Sequence, residues 1–141
     1  MSEHYQTRSE IEEVVSGFES STTARDEFTH RKHLTVAVCY LQTSTLDQSI
    51  EKMRAGLFRF LDHHAVSREK YNETLTIFWV RLTQSVLDAL DSSLSLLEIT
   101  NAVLQTLSDA RLVFDYYSQE RLWSDKAKEK WIDPDLRSLD S

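Results

Sequence analysis

The sequence predicts an all-α protein: a single-domain helical bundle of about five main helices, with short C-terminal helices packed over it. Three observations carry that prediction. Only 2 glycines and 1 proline occur in 141 residues. Hairpin turns, barrels and phosphate-cradling loops depend on those residues, so an all-β fold, a Rossmann unit and a P-loop are close to excluded. Apolar residues recur at helical spacing along most of the chain, and Ser, Thr and Asp cluster between the runs, where helix caps belong. The domain is expected over residues 9–141, after a loose polar lead at 1–8.

The first helix is expected from about Ser9 to Ser20. Ile11, Val14, Val15 and Phe18 fall on one stripe, and Glu10, Glu12 and Glu13 suit the positive end of a helix. Ser20 to Thr23 break the pattern. A second helix is expected from about Asp26 to Gln42; its part from Leu34 to Leu41 is apolar nearly all round, as a central helix would be. The third runs from about Leu46 to His64, with Leu46, Ile50, Met53, Leu57, Phe60 and Leu61 as its stripe and His64 as the next member. Ser67 is a cap for a fourth helix reaching about Leu90, with Tyr71, Leu75, Phe78, Leu82, Val86 and Ala89 inward. Ser95-Leu96-Leu97-Glu98 is a capping-box pattern opening a fifth, whose Ile99, Val103, Leu104 and Leu107 face inward. Beyond it, Asp109 to Tyr117 reads as a short helix. Ser118 and Ser124 start two more, with Pro134 ending the last. Trp123 and Trp131 are the expected anchors of this wrapping segment.

The charge balance narrows the function. Against 23 Asp+Glu stand 16 Lys+Arg, a net charge of -7. A duplex-DNA or RNA binder needs a basic footprint, so nucleic-acid binding is not expected. The single Cys39 excludes an internal disulfide framework and a Cys-based zinc cluster. No apolar run approaches the roughly 18 residues that span a bilayer, no helix has a basic amphipathic face, and the polar, acidic start is unlike a signal peptide. A cytoplasmic protein without membrane attachment is expected.

Four of the five histidines lie between positions 30 and 64. Glu27, His30 and His33 are spaced by three, so one continuous helix would put them on one side, extending a buried stripe. With antiparallel neighbours, Glu27, His30, His33, His64 and Glu73 would converge at one end of the bundle. Imidazole and carboxylate ligands suit zinc, iron, manganese or nickel, and helical bundles build metal sites from inward Glu and His three apart. Glu27 and His30 have that spacing. The second copy that a two-metal site requires is absent, because Thr76 stands three residues after Glu73. The candidate centre is one divalent metal ion held by His30, His33, His64 and Glu73, with Glu73 and His64 as catalytic acid/base candidates. Glu27, Tyr71 and Thr76 would line the pocket, Thr76 orienting Glu73. Beside it stand structural readings: histidines bonded to backbone carbonyls, and Glu73 either favoured by the helix dipole or neutralised by Arg31, Arg54 or Arg81. Cys39, within an apolar helix, is expected to be inert.

The segments Glu27-Phe28-Thr29-His30-Arg31-Lys32-His33-Leu34, Tyr71 to Trp79, and Tyr117-Ser118 through Pro134-Asp135-Leu136 together resemble a family of small bacterial helical proteins with no assigned activity. The resemblance covers the chain from about residue 18 onward. It implies one shared architecture and supplies no substrate, cofactor or reaction. In sequences of that type a His often stands where this chain has Asn72, which counts against Asn72 as a ligand.

Two function classes follow from the residues. One is a buried His/Glu pocket binding a metal ion or a small polar ligand, with hydrolytic or acid/base chemistry open to it. The other is a non-catalytic interaction or ligand-sensing module with structural histidines, open to homodimer formation through the tryptophan-bearing terminal helices.

Overall fold

In the computed structural model, which describes residues 4–139, every regular element is a helix or a 3-10 turn, and no strand occurs among the described residues. Local capping chemistry explains where each helix begins. Thr7 and Glu10 form a reciprocal capping box that opens α1 (Arg8–Glu19). Ser21, with φ 58°, turns the chain away after α1. Thr29 caps α2 (His30–Thr43), and a second box, Thr45 with Gln48, opens α3 (Leu46–His63). Asn72 caps α4 (Glu73–Ala89), and the Ser95–Glu98 box opens α5 (Leu96–Thr106), as its sequence pattern predicts. Short helices α6 (Gln119–Leu122) and α7 (Asp125–Glu129) start at Ser118 and Ser124. The bundle expectation therefore holds: five long helices, with short ones over them.

Three helix boundaries need correction. The second helix does not start near Asp26. A 3-10 turn, Arg25–Glu27, ends at Phe28, whose ψ of 81° is not helical, and the chain re-enters a helix only at the Thr29 cap. The fourth helix does not start at Ser67 either: Ser67 caps a 3-10 turn, Arg68–Lys70, and α4 begins after Asn72. The last helix ends at Glu129, where Lys130 is extended, well short of Pro134.

The core explains the topology. α2 packs against α1, α3, α4 and α5, and α4 against α2, α3, α5 and α7, so these two helices carry the most continuous apolar faces. Leu34, Val38, Phe78, Val103, Tyr117 and Leu122 belong to one apolar cluster. Phe18, Val36, Ala37, Met53, Phe60 and Val80 belong to a second. At the second, α3 approaches α1 so closely that a Cβ on Gly56 would sit 2.5 Å from the Phe18 ring; only glycine leaves room for that contact.

The lead is not loose over its described part. Tyr5 is buried. Its backbone N–H donates to Asn101 Oδ1 at 2.9 Å, and its carbonyl accepts from Asn101 Nδ2 at 3.0 Å. Its hydroxyl meets that of Thr35 at 2.9 Å, and Arg31 lies 4.1 Å over its ring. A buried aromatic with both backbone groups paired is enough to dock the segment entering α1. Residues 1–3 of the lead lie outside the described residues.

The C-terminal segment is bonded across the start of α4. Asn72 Nδ2 donates to the Leu122 carbonyl at 2.8 Å and Thr74 Oγ1 to the Lys130 carbonyl at 2.8 Å. Tyr117 hydroxyl donates to the Ile132 carbonyl at 2.6 Å. These bonds hold the C-terminal segment in place, and its residues 110–123 form one wall of a pocket.

Candidate functional site

The caps at Thr29 and Asn72 place the two polar segments of the sequence in the first turns of neighbouring helices. His30 and His33 sit at the start of α2, on the side facing α4. Between these helix starts, the end of α3 and the segment 110–123 lies a pocket of about 540 Å³, within the roughly 300–1,000 Å³ usual for small-molecule sites. Leu57, Leu61, Leu75, Trp79, Phe114 and Trp123 give it apolar walls. His30, His33, Tyr71, Asn72 and Thr76 supply polar groups, and Lys70 and Arg111 stand in the lining as well.

The two histidines differ. His30 Nε2 donates to the Leu107 carbonyl at 2.8 Å, and its ring meets Trp79 edge-on with centroids 4.5 Å apart. His33 Nε2 is sealed from solvent and has no hydrogen-bond partner. Burial, and then the neighbouring His30, push the His33 imidazole down to about 4. It is therefore neutral at pH 7. An unpaired buried nitrogen costs about 1–3 kcal/mol; the hydroxyls of Ser21, Ser49, Thr83 and Thr100 are buried without a partner as well.

The expected convergence of three imidazoles and an acid does not occur. His64 closes α3 and donates from Nε2 to the Thr23 carbonyl at 3.1 Å, beyond the α1 end, with its ring against Phe60. Glu73 turns the other way. Arg54 holds it through Nε at 2.9 and 3.1 Å and through a further guanidinium nitrogen, and the Tyr71 hydroxyl donates to it. Burial alone would raise the Glu73 carboxyl, but the bonds from Arg54 and Tyr71 together with the Arg54 charge outweigh it and hold the carboxyl below its usual range. Glu27 is exposed on its 3-10 turn, because the break at Phe28 removes it from the α2 face. Thr76 donates to the Asn72 carbonyl at 3.0 Å and makes no bond to Glu73.

Among the described residues, no three His, Cys, Asp or Glu side chains come together as metal donors. The donor set His30, His33, His64 and Glu73 is thus dispersed. His30 and His64 commit Nε2 protons to carbonyls and Glu73 is matched by Arg54. The pairing of Glu73 and His64 as acid and base has no contact behind it: no hydrogen bond or ion pair joins them. Of the three arginines weighed as partners of Glu73, it is Arg54 that pairs with it.

What the structure does bring together is His30, His33, Tyr71 and Thr76, without His64, Glu73 or Glu27. Tyr71 is the divider: its ring lines this pocket, while its hydroxyl bonds Glu73 in the adjoining groove that holds Arg54 and Arg68. Sequence reasoning missed Lys70 and Arg111 as pocket residues. Both lie on 3-10 turns, which carry no long apolar period to announce their facing. Asn72, discounted as a ligand, serves as the cap of α4 and the tether of Leu122. Cys39 is pushed up to about 11, mainly by burial, so its thiol stays protonated.

Compared with known proteins, the chain matches no family model, no curated protein and no solved structure. No helix among the described residues is long and apolar enough to cross a membrane.

Proposed function

We propose that the protein is a small-molecule binding module whose ligand occupies the pocket between α2, α4 and the 110–123 segment. The observation that carries this reading is a cavity of about 540 Å³ with apolar walls, Leu57, Leu61, Leu75, Phe114 and Trp123, into which a few polar side chains, His33 among them, are set. Binding pockets combine apolar walls with a few placed polar groups. Trp79 and Trp123 offer ring faces, and the 48% exposure of Trp123 leaves an aromatic surface for a guest to cover. Three of the other polar side chains are committed to structural bonds: His30 to Leu107, Asn72 to Leu122 and Tyr71 to Glu73. This supports binding or sensing over acid/base catalysis, since the strongest ionisable group nearby, Glu73, is held as a carboxylate by a matched arginine.

The test is titration with indole, a neutral aromatic carrying one N–H, followed by calorimetry and saturation-transfer NMR. Saturable binding is expected, abolished by Ala110→Trp. Ala110 is an exposed residue of the pocket lining, so the larger ring fills the site without entering the core. Absence of binding, or binding untouched by Ala110→Trp, would overturn the reading.

A further inference from the structure

The protein as a whole is acidic, with a net charge of -7. The pocket is not. Its lining holds two cations, Lys70 and Arg111, and neither an Asp nor a Glu. The Arg111 charge is already balanced, since its guanidinium bonds Asp109 at 3.1 and 3.2 Å. Lys70 has no such partner: among the described residues it pairs with no carboxylate. It is exposed, on the 3-10 turn leading to α4. The backbone N–H donates to Ser67 and the ammonium stays available. Opposite charge near a partly apolar cleft raises both affinity and encounter rate. From this rim-and-wall arrangement we infer that the natural ligand is an aromatic or otherwise apolar carboxylate, its apolar body against Trp79, Phe114 and Trp123 and its anionic group at Lys70.

The inference rests on the pocket being a ligand site and adds the sign of the ligand's charge and the residue that reads it. A neutral or cationic guest would leave the Lys70 ammonium unmatched. A polyanion such as a nucleotide phosphate chain fits poorly, because among the described residues the lining holds one cation without a carboxylate partner and its walls are mostly apolar.

The experiment compares three probes of one ring system: indole-3-propionate, indole and tryptamine. Each is titrated by calorimetry into the full chain at low salt. Indole-3-propionate is expected to bind about fivefold tighter than indole, the scale of one solvent-exposed charge pair, and tryptamine more weakly than indole. Lys70→Glu should erase the preference for the carboxylate, weakening indole-3-propionate more than indole. Arg111→Gln should have the smaller effect, and raised salt should shrink the preference. Lys70 and Arg111 are both exposed, so neither variant threatens folding, and retained indole binding reports an intact pocket. Equal binding of indole and indole-3-propionate, or a Lys70→Glu effect equal on both, overturns the charge inference alone. Failure of every probe, or binding that survives Ala110→Trp, overturns the pocket itself.

Discussion

Acidification should weaken the fold through His33, and the size of the effect can be worked out. In the unfolded chain an imidazole titrates at its ordinary value of 6.5; in the folded protein burial lowers His33 to about 4. Between those values the unfolded state binds a proton that the folded state does not. Stability therefore rises with pH across the window and is lost as pH falls from about 6.5 toward 4. Integrating the linkage from pH 7.5 to 5 gives a loss of about 2 kcal/mol, and the full shift corresponds to about 3 kcal/mol. The perturbation is His33→Leu, which removes the proton site and the unpaired nitrogen together. At pH 7.5 the variant is expected to be as stable as the parent or slightly more so, because an apolar group replaces an unsatisfied one. At pH 5 it should be about 2 kcal/mol more stable than the parent. Urea unfolding followed by tryptophan fluorescence at both pH values reads the difference directly, with unchanged m-values confirming that the folded state keeps its extent. Glu73, whose pKa is lowered, loses its contribution only below the ordinary carboxylate value of 4.5, below both pH values compared. Parallel pH profiles for parent and His33→Leu would refute the reasoning, since they would mean that the His33 ring takes up its proton without cost in the folded state.

Two further perturbations probe the walls of the site. Arg54→Met leaves the Glu73 carboxylate, 11% exposed, with only Tyr71 as partner; discounted for the 35% exposure of Arg54, the loss should be about 2 kcal/mol at pH 7. Because the stranded Glu73 then favours its protonated form, the gap should narrow as pH falls below 4.5, which denaturation at pH 7 and pH 4 would check. Asn72→Ala removes the cap on Leu75 N–H and leaves the buried Leu122 carbonyl without its donor, at a cost of about 2–3 kcal/mol. Hydrogen exchange should speed up in residues 119–129 first, and Asn72→Asp should restore the cap without restoring the tether.

How much of this was legible in the sequence follows from what makes each signal. The helix class, the α5 start at Ser95 and the inward face of Ile99, Val103, Leu104 and Leu107 are local: cap chemistry and a repeating apolar period are written in consecutive residues. The site was only half legible for the same reason. His30 and His33 share a helix, so their common side could be read from spacing, and Tyr71 and Thr76 do open the neighbouring helix next to them. Glu27 failed because one non-helical residue, Phe28, cancels an i,i+3 relation. His64 and Glu73 failed because a side chain's direction at a helix end is set by distant partners, here Thr23 and Arg54, which no periodicity encodes. The wall formed by residues 110–123 depends on tethers between residues far apart in the chain, such as Asn72 to Leu122.

An apolar anion is expected to enter the pocket beside His33. Ring-selective NMR of the histidine and tryptophan side chains, recorded while indole-3-propionate is added, tests this most directly. Resonances of His33, Trp79 and Trp123 should move together and saturate with one affinity, while those of Trp131 and His63, which lie outside the pocket lining, stay in place. Shifts absent from His33 and Trp79, or centred instead on the Arg54 and Arg68 groove, would contradict it.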